Sequence, residues 1–195
     1  MSDRRVIVVT GARKGLGRAL AEHLLAGGWA VAGISRGSSD LSDVNYVGFE
    51  ADVADEAAMV RTFAAVAKRF GRIDALVNNA GVAAMNHALL TTADGARRVF
   101  ETNTIGTFIA SREAAKHMRR QRAGRIVNLS TVAVPLAVAG EAVYAASKAA
   151  VESLTRVLAR ELGPDNIRVN CIVPGWVMTE RQRALWLDEA GERAM

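Results

Sequence analysis

Arg4 to Gly17 reads RRVIVVTGARKGLG. Arg4 to Thr10 is a short β-branched run of the kind that forms a buried strand. Gly11-Ala12-Arg13-Lys14-Gly15-Leu16-Gly17 follows, and a helical pattern then continues through Ala26 until Gly27-Gly28 stops it. A strand, a glycine turn and a helix N-terminus in this order make a phosphate site. Small residues let the backbone approach the ligand, and the free N–H groups and the helix dipole favour an anion. The spacing is G-x-x-x-G-x-G rather than the G-x-G-x-x-G dinucleotide fingerprint, so the strand-to-helix context carries the inference.

The chain beyond this unit keeps alternating. Trp29 to Ser35, Tyr46 to Glu50, Ile73 to Val77, Arg125 to Leu129 and Ile167 to Val173 read as further strands. Asp55 is a suitable N-cap for a helix running to Phe70 and ending at Gly71. Gly95 to Arg122 carries helical spacing with Asn103 in its interior, and Gly124 closes it. Asn is a poor interior helix residue, so Asn103 is either exposed or kept for a hydrogen bond. Another helix runs through Tyr144 to Leu162, where Gly163-Pro164 stops it. Strands alternating with helices imply parallel pairing and right-handed crossovers. The predicted fold is α/β: a Rossmann-like, doubly wound parallel sheet of six strands with helices on both faces.

In such a fold, ligands bind at the C-terminal ends of the strands, and the end of the second strand meets the adenosine ribose. An Asp or Glu there would bind the 2′-hydroxyl of NAD. This sequence has Ser35 and Arg36 instead. Arg suits a 2′-phosphate by charge and bidentate geometry, and Arg13 and Lys14 add positive charge nearby. The expected cofactor is therefore NADP(H) rather than NAD(H). Tyr144 and Lys148 lie four apart on one helix face. An ammonium beside a phenol favours the phenolate, so the Tyr pKa is expected below its usual ~10, within reach of general acid–base work.

The totals narrow the class. With 195 residues, half of them apolar and 23% charged, the chain suits one soluble domain, 1–195. Its one cysteine, Cys171, excludes an intrachain disulfide and fits a reducing, cytoplasmic setting. No uninterrupted apolar run approaches the ~20 residues of a membrane span. The net charge of +5 comes with acidic residues interspersed and no aromatics among the basic ones, which argues against a nucleic-acid partner. His23, His87 and His117 are too scattered for a metal site.

These pieces together resemble a short-chain dehydrogenase/reductase. Thr10-Gly11-x-x-x-Gly15-x-Gly17 is similar to that family's cofactor turn, and Asp52 to its adenine-contacting acid. Asn78-Asn79-Ala80-Gly81 matches its NNAG segment, and Asn103 to Gly106 its Asn-x-x-Gly. Tyr144-x-x-x-Lys148 matches its catalytic pair, and Pro174-Gly175-x-Val177-x-Thr179 the segment lining the nicotinamide. The resemblance implies reversible hydride transfer between NADP(H) and a small-molecule carbonyl or secondary alcohol, in an assembly of identical subunits. It implies a catalytic set of Asn103, Tyr144, Lys148 and a hydroxyl residue. It also implies cofactor contacts from Gly11, Arg13, Lys14, Gly15, Leu16, Gly17, Ser35, Arg36, Asp52, Val53, Asn79, Ala80, Gly81, Tyr144, Lys148, Pro174, Gly175, Val177 and Thr179.

Two departures accompany the resemblance. The family's catalytic serine usually stands thirteen residues before the tyrosine; here that position is Thr131, with Ser130 beside it, and both remain candidates. The chain also stops where members usually continue into another helix and a seventh strand; if this is the whole natural product, an exposed edge strand and an open substrate pocket are expected. Glu180 to Ala194 is expected to be the substrate-loop helix. Asp165 to Trp186 is similar to sugar or polyol dehydrogenases, whereas Ser130 to Lys148 is more like the 3-oxoacyl-carrier-protein reductases. Trp176 and Trp186 are expected to serve packing rather than sugar stacking. The competing function is a catalytically silent NADP-binding sensor or partner subunit.

Overall fold

The structure is a computed structural model and describes residues 4–83 and 85–177. Strands β1 (Val6–Thr10), β2 (Ala30–Ser35), β3 (Tyr46–Glu50), β4 (Ala75–Asn78), β5 (Gly124–Leu129) and β6 (Ile167–Ile172) form one parallel sheet in the order β3-β2-β1-β4-β5-β6. The order reverses between β1 and β4, which opens a crevice at their C-terminal ends. All five residues of β1 are buried. As the strand at the switch point, β1 packs against helices on both faces, which is why its sequence is continuously apolar rather than alternating.

The pleat divides the core. Val8 points into a layer with Ile34, Met59, Phe63, Leu76, Ile109, Met118 and Ile126. Ile7 and Val9 point the other way, to Ala21, Val31 and Val77. Helix α1 (Gly15–Ala26) covers the second face. Helices α2 (Glu56–Phe70), α4 (Gly106–Gln121) and α6 (Ala142–Leu162) cover the first. Asp55 caps α2 by accepting from the Ala58 N–H at 2.9 Å, and Gly71 closes it at φ +78°. Asp74 anchors the base of the sheet: its carboxylate accepts from the Val6 N–H at 2.8 Å and from Arg72 at 2.7 and 2.8 Å.

The elements predicted within the described residues are present, with four corrections. The fourth strand runs Ala75–Asn78 rather than 73 to 77, so Asn78 belongs to the strand and not to the turn after it. The helix expected over Gly95 to Arg122 is α3 (Ala93–Phe100), a π-helical turn over Glu101–Ile105, and α4. Gly124 does not end α4; Arg122 does, in the left-handed region at φ +54°. A side chain at Gly124 would come within 2.4 Å of Met118 Sδ, so its smallness serves close packing. Finally, a short helix α5 (Ala133–Leu136) and two 3₁₀ turns, Ala88–Leu90 and Gly163–Asp165, had no apolar period long enough to signal them. The expected helix over 180 to 194, with Trp186, lies outside the described residues.

Candidate active site

The glycine turn between β1 and α1 is a packed object. Gly11 adopts φ +70°, and its N–H donates to the Ile34 carbonyl at 2.7 Å. A Cβ on Gly17 would lie 2.3 Å from both the Gly11 carbonyl oxygen and Asn79 Nδ2, so only glycine fits. Gly15, at φ +57°, faces open space instead. Lys14 precedes α1 and provides no side-chain cap, which leaves the leading N–H groups of the helix for water or an anion.

Asn79 stitches this turn to the end of β4. Its Nδ2 donates to the carbonyls of Thr10 at 2.9 Å and Gly11 at 3.3 Å. In return, Thr10 Oγ1 accepts from the N–H groups of Asn79 at 3.1 Å and Ala80 at 3.0 Å. Thr10 is thus a structural member of the site, and its one signal in the sequence is a lone hydroxyl closing an apolar strand. Asn78, its neighbour, is buried and donates to Ser111 Oγ at 2.9 Å and Asn128 Oδ1 at 2.8 Å, which ties β4 to α4 and β5.

At the end of β2, Ser35 Oγ accepts from the Arg13 N–H at 3.1 Å. Arg13, Lys14 and Arg36 are all exposed. Asp52 Oδ1 accepts from the Ala54 N–H at 3.0 Å and shapes the loop after β3. Val53 is buried against Gly106, where a Cβ would come within 2.7 Å of Val53 Cγ2. Leu16 is half-buried in the first turn of α1.

The second cluster stands at the ends of β4 and β5. Lys148 is only 5% exposed, and its Nζ donates to the Leu129 carbonyl at 2.8 Å. Burial pushes its pKa down to about 8, against a smaller opposing pull from Cys171. Tyr144, one turn earlier on α6, has the Thr131 hydroxyl as its side-chain neighbour. Its pKa is raised, chiefly by burial and further by Glu141, while Thr131 opposes the rise. This corrects the expected depression: Lys148 shares the helix face but spends a donor on the Leu129 carbonyl, and desolvation of the phenol dominates.

The two hydroxyl candidates diverge. Ser130 Oγ donates to Glu152 Oε1 at 2.6 Å, away from Tyr144. Thr131 Oγ1 accepts from the Ala133 N–H at 3.2 Å and is the hydroxyl that meets the phenol. Asn103 is fully buried in the π turn, with its Oδ1 accepting from the Val82 N–H at 2.8 Å. Gly81 lies between Asn103 and Lys148, since a Cβ there would be 3.3 Å from Asn103 Oδ1 and 3.6 Å from Lys148 Nζ. The Pro174 carbonyl accepts from the Val132 N–H at 3.0 Å, which brings the segment after β6 beside Thr131. Gly175, Trp176 and Val177 are exposed there, and Trp176, 56% exposed, does not pack as expected. Thr179 lies outside the described residues.

Comparison with known proteins agrees with this layout. The short chain dehydrogenase family profile matches residues 5–190. The chain is 40% identical over 203 residues to the short-chain reductase protein NovJ of Streptomyces niveus, covering 99% of this chain and 75% of that one. It is 36% identical over 181 residues to the 3-oxoacyl-[acyl-carrier-protein] reductase MabA of Mycobacterium tuberculosis, covering 93% and 72%. Among solved structures, a short-chain dehydrogenase from Streptomyces avermitilis superposes with a TM-score of 0.87 at 35% identity, over 91% of this chain and 68% of that one. ElxO with NADP bound superposes with a TM-score of 0.88 at 28% identity, over 93% and 77%. With the switch-point crevice, the glycine turn and the Tyr144–Lys148 helix all in that family's order, the chain belongs to the short-chain dehydrogenase family.

Proposed function

We propose that this chain is an NADP(H)-dependent oxidoreductase that interconverts a carbonyl and a secondary alcohol, with Tyr144 as general acid and base. The observation that carries this reading is the meeting of Tyr144 and Thr131 beside buried Lys148, at the strand ends that also hold the glycine turn. The residues present fit a dinucleotide phosphate. Gly15 opens onto free space at the head of α1, and Arg13, Lys14 and Arg36 supply exposed positive charge for a 2′-phosphate. ElxO, which superposes on the chain, holds NADP.

A nicotinamide held at this site would supply or accept the hydride. This chain's residues manage the proton and the orientation. Tyr144 delivers a proton to the carbonyl oxygen in reduction and takes it back in oxidation. Thr131 donates a hydrogen bond to that oxygen, where negative charge grows in the transition state. Lys148, mostly protonated at neutral pH with a pKa of about 8, keeps a buried positive charge one helical turn from Tyr144. Asn103 holds the Gly81–Val82 backbone next to both. Ser130 braces the end of β5 through Glu152 and takes no part in proton transfer.

The 3-oxoacyl class is the favoured substrate, because MabA and the FabG of Escherichia coli, 34% identical over 193 residues, are both named for it. A sugar or polyol substrate is the second reading, favoured by the half-exposed Trp176 beside the site. Residues 1–195 act as one catalytic domain in a reducing, cytoplasmic compartment. Exposed Ile105 and Phe108 at the head of α4 support assembly into a homo-oligomer.

The test is NADPH and NADH binding by nicotinamide fluorescence, followed by a carbonyl panel on the same sample. Turnover that falls about 10²–10⁴-fold in Tyr144→Phe with NADPH binding retained is the expected result. Tight binding of NADPH without any turnover would instead support the sensor reading, and a folded chain that binds neither cofactor would end both.

A further inference from the structure

One buried side chain joins the catalytic helix to the π turn and is used by no step above. Ser147 is fully buried, one residue before Lys148. Its Oγ accepts from Asn103 Nδ2 at 3.0 Å and donates to the Tyr144 carbonyl at 2.7 Å. Its own carbonyl accepts from Thr104 Oγ1 at 3.0 Å. Two hydrogen bonds therefore cross from Glu101–Ile105 to α6, and both end on Ser147. Beyond Asn103 the connection continues to the loop after β4: Asn103 Oδ1 accepts from the Val82 N–H at 2.8 Å, and its Nδ2 donates to the Val82 carbonyl at 2.9 Å.

The chemistry of the serine explains why it can close this chain. A hydroxyl in a helix interior bonds back to a carbonyl of the preceding turn, here that of Tyr144. Its lone pairs then remain free to accept from a neighbouring element. The Asn103 amide is buried, so each of its N–H groups must find a partner. Three interactions around Asn103 fix its rotation, and the one on Ser147 is the only one directed at α6.

We propose that Ser147 is a positioning residue that fixes the Tyr144–Lys148 turn of α6 relative to Asn103 and the loop after β4. The proposal rests on the function above for what that turn does, but the placement itself can be measured without turnover. The chain holds two tyrosines, Tyr46 and Tyr144. Labelling with ¹³Cζ-tyrosine therefore gives two resonances, assigned by Tyr46→Phe. Tyr46 lies on β3 at the far edge of the sheet, against Gly33, and serves as an internal reference.

In the full chain, Ser147→Ala is expected to displace the Tyr144 resonance and move its titration midpoint by on the order of one pH unit, leaving Tyr46 in place. The kcat for whichever carbonyl the wild type reduces falls about 10-fold while the Kd for NADPH stays within about 2-fold. Superimposable Tyr144 resonances and titrations in the variant and the wild type would overturn the proposal. So would an equal displacement of Tyr46, which marks general loosening of the fold. Ser147→Cys keeps the volume and weakens both hydrogen bonds. It carries the same test if the alanine variant does not fold, with a smaller displacement of the same sign expected. A wild type that reduces no carbonyl would end the functional reading and leave the resonance test standing.

Discussion

The two halves of the crevice are built on different principles. On the glycine-turn side, residues are fixed by lack of room. A side chain at Gly17 would collide with backbone and with Asn79, and Gly11 needs a positive φ. On the catalytic side, residues are fixed by pairing of buried polar groups. Lys148, Asn103 and Ser147 are each 5% exposed or less, and each is hydrogen-bonded to a partner distant in sequence. Steric requirements name a residue type at a position, and a spacing therefore reveals them. Polar pairing only demands some partner, and the sequence does not say which one.

After Tyr144→Phe, the largest effect should come from the pair of neighbours that the catalytic side treats differently. Thr131→Ala is expected to lower kcat by about 10²-fold, the scale of losing one donor to a developing oxyanion. Ser130→Ala should leave kcat within a few-fold and destabilise the fold by about 1.5–3 kcal/mol, the scale of a bond to a charged acceptor. Steady-state kinetics and denaturant melts of the two variants separate the roles. Equal kinetic losses would break the distinction.

Lys148 gives a pH test on the same side. Its folded pKa of about 8 lies below its ordinary 10.5, so the unfolded chain binds more protons between those values. Stability from this group therefore rises with pH across that window, and the cost of burying its charge is fully present below pH 8. The size is up to about 3 kcal/mol by the conversion of 1.36 kcal/mol per unit. Tyr144, whose pKa is raised, works in the opposite sense above its ordinary 10, because the folded state then holds the extra proton. The net rise should thus be read between pH 8 and 10 in denaturant melts, and Lys148→Met should flatten it.

On the glycine side the effects are expected to be smaller and to be read in stability and binding. Gly17→Ala should cost about 1–3 kcal/mol by overpacking, and it should weaken NADPH binding because the turn must shift. Gly15→Ala meets no neighbour, so only the strain of φ +57° opposes it. A thermal melt in which Gly15→Ala is the more damaging would invert the steric argument. The smallest effect is at Arg36: its replacement by Ala should reduce the preference for NADPH over NADH about 10-fold, seen as a ratio of Kd values, with no change in fold stability.

Several features were legible because they are local. The strand–turn–helix of residues 6–26, the Asp55 cap and the Gly71 stop all follow from backbone preferences of adjacent residues. The Tyr144–Lys148 spacing placed both on one helix face. Other features were hidden because they depend on partners far along the chain. The break at Asn103 looked like an unfavourable residue in a continuous helix; the π turn becomes intelligible once Val82 and Ser147 are seen to bond its amide. Ser130 and Thr131 could not be ranked by type, and their separation came from Glu152 on one side and Tyr144 on the other.

What the sequence determined by itself, then, was the order of elements, the parallel sheet, the glycine turn between β1 and α1 and the placement of Tyr144 and Lys148 on one helix face, since periodicity and glycine placement are properties of neighbours. The tertiary structure alone decided which hydroxyl faces Tyr144, why Asn103 interrupts its helix, and the protonation of the pair. Desolvation raises the Tyr144 pKa and lowers that of Lys148. Burial is set by everything that packs around a group, and no spacing of four residues contains that information.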